Sequence, residues 1–167
     1  MNKSIIDNIL INNILSETEK NTLYEIYLKY TDFATYWIIL LEINPQLFYK
    51  SLYYYSENDI KIAEKICNSN CYNSWFGNIG HCLIYITGEL LPIKDRFNKQ
   101  VDGFYGCNQN INEIFGMNLF NLLIRCNLNL DFKDYYGRTI KDLFYTESFT
   151  KRINNDKFKK LVLLYYN

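Results

Sequence analysis

From Asn118 to Phe144 the chain reads NLFNLLIRCNLNLDFKDYYGRTIKDLF. Its first part places Leu119, Phe120, Leu122 and Leu123 on one side of a helix, with Ile124 beside them. Asn127 follows, a residue that tolerates the left-handed backbone closing a helix better than other non-glycine types. Leu128 to Asp131 alternate apolar and polar into a loop, where Lys133, Asp134 and Gly137 form a turn whose glycine supplies positive φ. Thr139 is positioned to cap a further short helix through Leu143. The order is helix, tight turn, helix.

The same period extends outward from this stretch. Ile5, Ile6, Ile9, Leu10 and Ile14 share one helical stripe, and Ser16 with Glu19 forms a capping box for a helix carrying Leu23 and Ile26. Thr31 or Asp32 caps a segment from Phe33 to Ile43, which must stop near Asn44 because Pro45 disfavours helical geometry in the residue before it. Pro45 opens the next helix, to about Tyr55, and Ser56 with Asp59 marks the start of another carrying Ile60, Ala63 and Ile66. Positions 68–78 are polar and read as a loop with Trp75 and Phe76. The segment 79–87 suits a short helix or, less well, a strand, because Leu83, Ile84, Tyr85 and Ile86 fit either period. Around 91–107, Pro92, Gly103 and Gly106 break any period, which predicts an irregular insertion. Helices at 111–126, 138–145 and 156–165 complete an all-α reading.

Position by position, the stretch from Asn118 to Phe144 resembles an ankyrin repeat. Leu119, Phe120, Leu122 and Leu123 match the inner face of that family's second helix, Asn127 its usual glycine, and Lys133, Asp134 and Gly137 its hairpin finger. Arg138, Thr139, Asp142 and Leu143 match its next helix start. In the family's Thr-Pro-Leu-His motif, proline presets the helix φ and histidine bonds between neighbouring repeats; here Ile140 and Asp142 stand in those places. A fainter copy lies upstream, in Asp59, Ile60, Ile62, Ala63 and Ile66, followed by Gly77, Asn78, Ile79 and Leu83. The 60 positions from Gly77 to Gly137 exceed one period of about 33, so an insertion or a degraded repeat must fill the difference, with Asp102 and Gly103 as its candidate head. The resemblance implies ankyrin-like stacked helix-turn-helix repeats over 57–167, with an insertion near 91–107 and an N-terminal helical extension at 1–56.

Composition sets the limits on function. The chain has 167 residues, 49% of them apolar and 22% charged, which is the balance of a globular domain. Lysine plus arginine equals aspartate plus glutamate at 18 each, so no global field draws nucleic acid. Sixteen Tyr, eleven Phe and abundant Asn and Ile fit AT-rich codons, as in a large DNA virus or a parasite. The amino terminus shows no export signal, and the longest apolar run, Tyr36 to Leu41, falls far short of the roughly 20 residues that span a bilayer. Five cysteines, an odd number, point to free buried thiols in a reducing compartment, cytoplasm or nucleus, rather than to a disulfide framework.

Cys67, Cys71, His81 and Cys82 place four soft ligands close together, so a zinc- or thiol-dependent protein has to be weighed. Their spacing is poor, since adjacent His81 and Cys82 point apart on any regular element, and the residues read better as core sulfur and a loop histidine. No cofactor, metal or catalytic residue is expected, because a single histidine and no phosphate-binding glycine loop leave little for catalysis. The expected function is non-catalytic binding of another protein, in the favoured setting a viral protein engaging a host factor, by a monomer or small homo-oligomer. The finger positions Trp75, Phe76, Lys133, Asp134, Tyr135 and Tyr136 are the expected partner-binding residues, because aromatics dominate interface hot spots. The rival is a structural, self-assembling component of virion type that uses the same rings.

Overall fold

The computed structural model describes residues 15–29, 32–69, 77–87, 113–145 and 156–166. Among the described residues the protein is all-helical and carries no strand. The described residues form eight helices: α1 (Glu17–Lys29), α2 (Phe33–Ile43), α3 (Pro45–Asn58), α4 (Ile60–Asn68), α5 (Ile79–Thr87), α6 (Glu113–Arg125), α7 (Ile140–Leu143) and α8 (Asp156–Leu164). The stripe at Ile5 to Ile14, the insertion near 91–107 and the candidate residues Cys71, Trp75 and Phe76 lie outside the described residues.

Side-chain caps set these boundaries. The Ser16 main-chain N–H donates to Glu19 Oε1 at 2.8 Å, and the Glu19 N–H returns a bond to Ser16 Oγ at 3.2 Å, which closes the box that starts α1. The Asp32 carboxylate accepts from the Thr35 N–H at 2.9 Å to start α2. Asn44 serves two helices at once: its N–H donates to Leu40 O at 2.8 Å, ending α2, while its Oδ1 accepts from the Leu47 N–H at 3.1 Å, starting α3. Asp59 repeats this between α3 and α4, and Ser56 does not: it stays within α3, with its hydroxyl bonded to Tyr53 O. The segment 79–87 is helical, which decides between its two periods in favour of 3.6.

The core is centred on α2, whose run from Tyr36 to Leu41 is wholly buried. Such burial all round requires neighbours on every side, and α2 packs against α1, α3, α4 and α5. Trp37 meets Phe33, Tyr36, Phe48 and Tyr55 in edge-to-face arrangements, the geometry ring quadrupoles favour. Burial of the Tyr36 phenol, with Tyr55 beside it, pushes its ionisation well above the ordinary tyrosine range.

The second half packs α5 against α6 and α7, and α6 against α8. Leu119, Phe120, Leu122, Leu123 and Leu143 are buried, as the helical period requires. Leu130 is only half-buried and packs at the edge of the core, because the chain has already left α6 for the surface loop. Phe158 of α8 completes the layer, its ring 6.2 Å from Phe120 and 6.3 Å from Phe144. Helices α5 and α7 approach so closely at Gly80 that a Cβ there would run into Ile140 and Leu128.

Candidate functional site

The turn after α6 is built from backbone geometry first. Asn127 adopts φ 62°, which lets the Leu128 N–H reach back to Leu123 O at 3.1 Å and closes the helix. Gly137 has φ 74°, and its N–H donates to Asp134 O at 3.0 Å while the Asp134 N–H donates to Arg138 O at 2.9 Å. The Asp134 carboxylate fixes the rest. Its Oδ1 accepts from the Tyr136 and Arg138 N–H groups, each at 2.9 Å, and its Oδ2 pairs with Arg138 Nε at 2.9 Å.

Asp134 is therefore an internal brace. Expected from the sequence on the partner-binding surface, it is only 6% exposed, because a carboxylate surrounded by three donors gains more from them than from solvent. Around it the rings turn outward: Tyr135 is 69% exposed, Tyr136 is 37% exposed, and the two meet edge to face with centroids 5.3 Å apart. The Arg138 guanidinium lies over the Tyr136 ring at 5.0 Å, so the arginine that neutralises Asp134 also steadies the ring. Lys133 is exposed beside them.

A second brace comes from the carboxyl-terminal end. The Tyr166 hydroxyl donates to Leu130 O at 2.8 Å and accepts from the Lys141 N–H at 3.3 Å, so it ties the loop to α7. Tyr165 donates to Asn121 Oδ1 at 2.6 Å. The two adjacent tyrosines thus divide their tasks between loop and α6.

His81 is in the first turn of α5 and wholly buried, which corrects its reading as a loop histidine. Its Nε2 lies 2.8 Å from the Arg138 carbonyl, which can only accept, so Nε2 carries the proton and Nδ1 accepts from the Asn78 N–H at 3.2 Å. Burial pushes the imidazole down to about 4, against the pull of the Arg138 carbonyl and of Asp134 and Asp142. Both ring nitrogens are committed to the protein, leaving no lone pair for a metal. Cys67 and Cys82 are buried, and among the described residues no three His, Cys, Asp or Glu side chains converge on a metal-sized site.

The signal that finds this role for His81 is present in the sequence but easily overlooked. Gly77, Asn78 and His81 have the spacing of Gly137, Thr139 and Asp142 with one residue fewer. Both glycines have positive φ, 84° and 74°. Asn78 Oδ1 accepts from the His81 N–H at 3.3 Å, just as Thr139 Oγ1 accepts from the Asp142 N–H at 3.3 Å. No protein-family model, curated protein or solved structure matches this chain.

Proposed function

We propose that this chain is an ankyrin-like module that binds another protein through the turn bearing Lys133, Tyr135 and Tyr136, and that it performs no catalysis. The observation that carries the reading is the exposure of Tyr135 at the tip of a turn whose backbone is already held by Asp134 and Gly137. A ring held out there adds little to stability, and a preorganised aromatic loses little freedom on binding. The two capped helix starts after positive-φ glycines, joined by His81, support the repeat reading. Trp75 and Phe76 belong to the same proposal on sequence grounds alone. So does the setting, a viral protein engaging a host factor in the cytoplasm or nucleus, which rests on the AT-rich composition.

The test compares the wild type with a Tyr135→Ala, Tyr136→Ala double variant of unchanged thermal stability. The reading expects the variant to lose a partner that the wild type captures and cross-links through position 135. Identical partner profiles would sink it. Self-association of the wild type that the variant lacks would favour a structural, self-assembling role instead.

A further inference from the structure

We infer that this chain associates with copies of itself head to tail, the outward face of α1 on one copy seating against the outward face of α8 on the next. Charge separates along the chain although its total is zero. Positions 1–69 hold nine carboxylates and six lysines, 70–112 hold three charges of each sign, and 113–167 hold six carboxylates and nine cations. The two helices of the contact come from the acidic and the basic part. They also lie on separate sides of the packing: α1 packs chiefly against α2 and α8 chiefly against α6, and α3 and α5 bridge α2 to α6.

Each of these helices turns an apolar stripe outward. In α1, Leu23 and Ile26 face the core, so Glu17, Asn21, Tyr24, Glu25 and Leu28 fall on the opposite side, where Leu28 is 78% exposed. In α8, Phe158 and Val162 face the core, and Lys157, Lys160 and Leu164 fall opposite, with Leu164 66% exposed. Ile114 of α6, 71% exposed, lines a cleft with Lys157 and extends that surface. Among the described residues Leu28, Ile114 and Leu164 are the three most exposed aliphatic side chains. An apolar stripe rimmed by charge is the form of an association surface. The two rims are complementary. Glu25, Lys157 and Lys160 make no ion pair among the described residues, and Glu17 reaches only Lys20, at 3.3 Å. Seating α1 on α8 sets Glu17 and Glu25 against Lys157 and Lys160 around Leu28 and Leu164. Exposed ion pairs add little affinity, so the leucines supply it and the charges fix which face meets which. Two α1 faces, or two α8 faces, would oppose like charges. The contact is therefore heterologous: every copy keeps one face of each kind free, and growth continues past a dimer to a chain or a closed ring. Neither Tyr135 nor Tyr136 takes part, so the inference stands apart from the partner-binding reading.

The experiment is sedimentation velocity on the full-length chain over a range of concentrations. The wild type is expected to form species larger than a dimer as concentration rises, and the Tyr135→Ala, Tyr136→Ala double variant to do the same. Reversal of one rim, by Glu17→Lys with Glu25→Lys or by Lys157→Glu with Lys160→Glu, should leave either variant monomeric. An equimolar mixture of the two should associate again, because each basic α1 then meets an acidic α8. Leu28→Ser, which keeps every charge, should also be monomeric. All these positions are exposed, so unchanged thermal midpoints verify that the variants are folded. A wild type that stays monomeric at every concentration, reversed variants that associate alone, or a mixture that stays monomeric overturns the inference. Association lost in the tyrosine variant places the contact at the turn and overturns it as well. Should a reversed variant unfold, Leu28→Ser decides alone.

Discussion

His81 Nε2 and the main-chain carbonyl of Arg138, 57 residues apart in the chain, meet at 2.8 Å in the interior of the protein. One imidazole thereby joins the start of α5 to the turn that precedes α7. The same carbonyl also receives the Asp134 N–H, so the histidine supports the turn that presents Tyr135 and Tyr136.

Burial of this imidazole makes stability pH-dependent. The folded imidazole is pushed down to about 4, below the unfolded value near 6.5, so between those values the unfolded chain binds the extra proton. The contribution is complete above pH 6.5 and is lost as pH falls toward 4, at up to about 1.4 kcal/mol per unit. Because His81 is the only histidine, urea midpoints measured from pH 7 to 5 isolate it from the carboxylates that titrate lower. His81→Gln should be less stable at pH 7 and nearly flat over that interval; an equally steep variant would contradict the assignment.

Two glycines should respond differently to alanine. At Gly137 the obstacle is φ 74° in open space, so the cost of Gly137→Ala is about 1–2 kcal/mol of backbone strain that no neighbour relieves. At Gly80 the obstacle is Ile140, so Gly80→Ala costs about 1–3 kcal/mol by overpacking. Adding Ile140→Val should recover part of the Gly80 loss and none of the Gly137 loss. A double-mutant cycle in urea reads the difference, and equal coupling in both pairs would refute it.

Within the turn, stability and exposure should separate. Tyr135→Ala should change stability by less than about 0.5 kcal/mol, since the ring is 69% exposed. Asp134→Ala should cost about 1–3 kcal/mol, because it orphans two main-chain N–H groups and the Arg138 side chain. The reverse ranking in thermal melts would mean that the turn is held by its rings.

Leu123, wholly buried in α6, should lose about 2–5 kcal/mol on truncation to alanine. Unchanged thermal stability in Leu123→Ala would show that α6 does not pack by this face.

The helices and their ends are legible in the residues alone, because those depend on neighbours three or four positions away: Ser16 with Glu19, Asp32 with Thr35, Asn44 before Pro45, Thr139 with Asp142. So are the left-handed residues Asn127 and Gly137, whose local sterics admit few alternatives. Tertiary packing was needed for His81 to bond to Arg138, for Asp134 to turn inward, and for Tyr166 to brace Leu130. Each of these is a polar contact whose worth comes from exclusion of water. That exclusion exists only once α5, α6, α7 and α8 have packed, whereas a cap forms wherever its own turn of helix does.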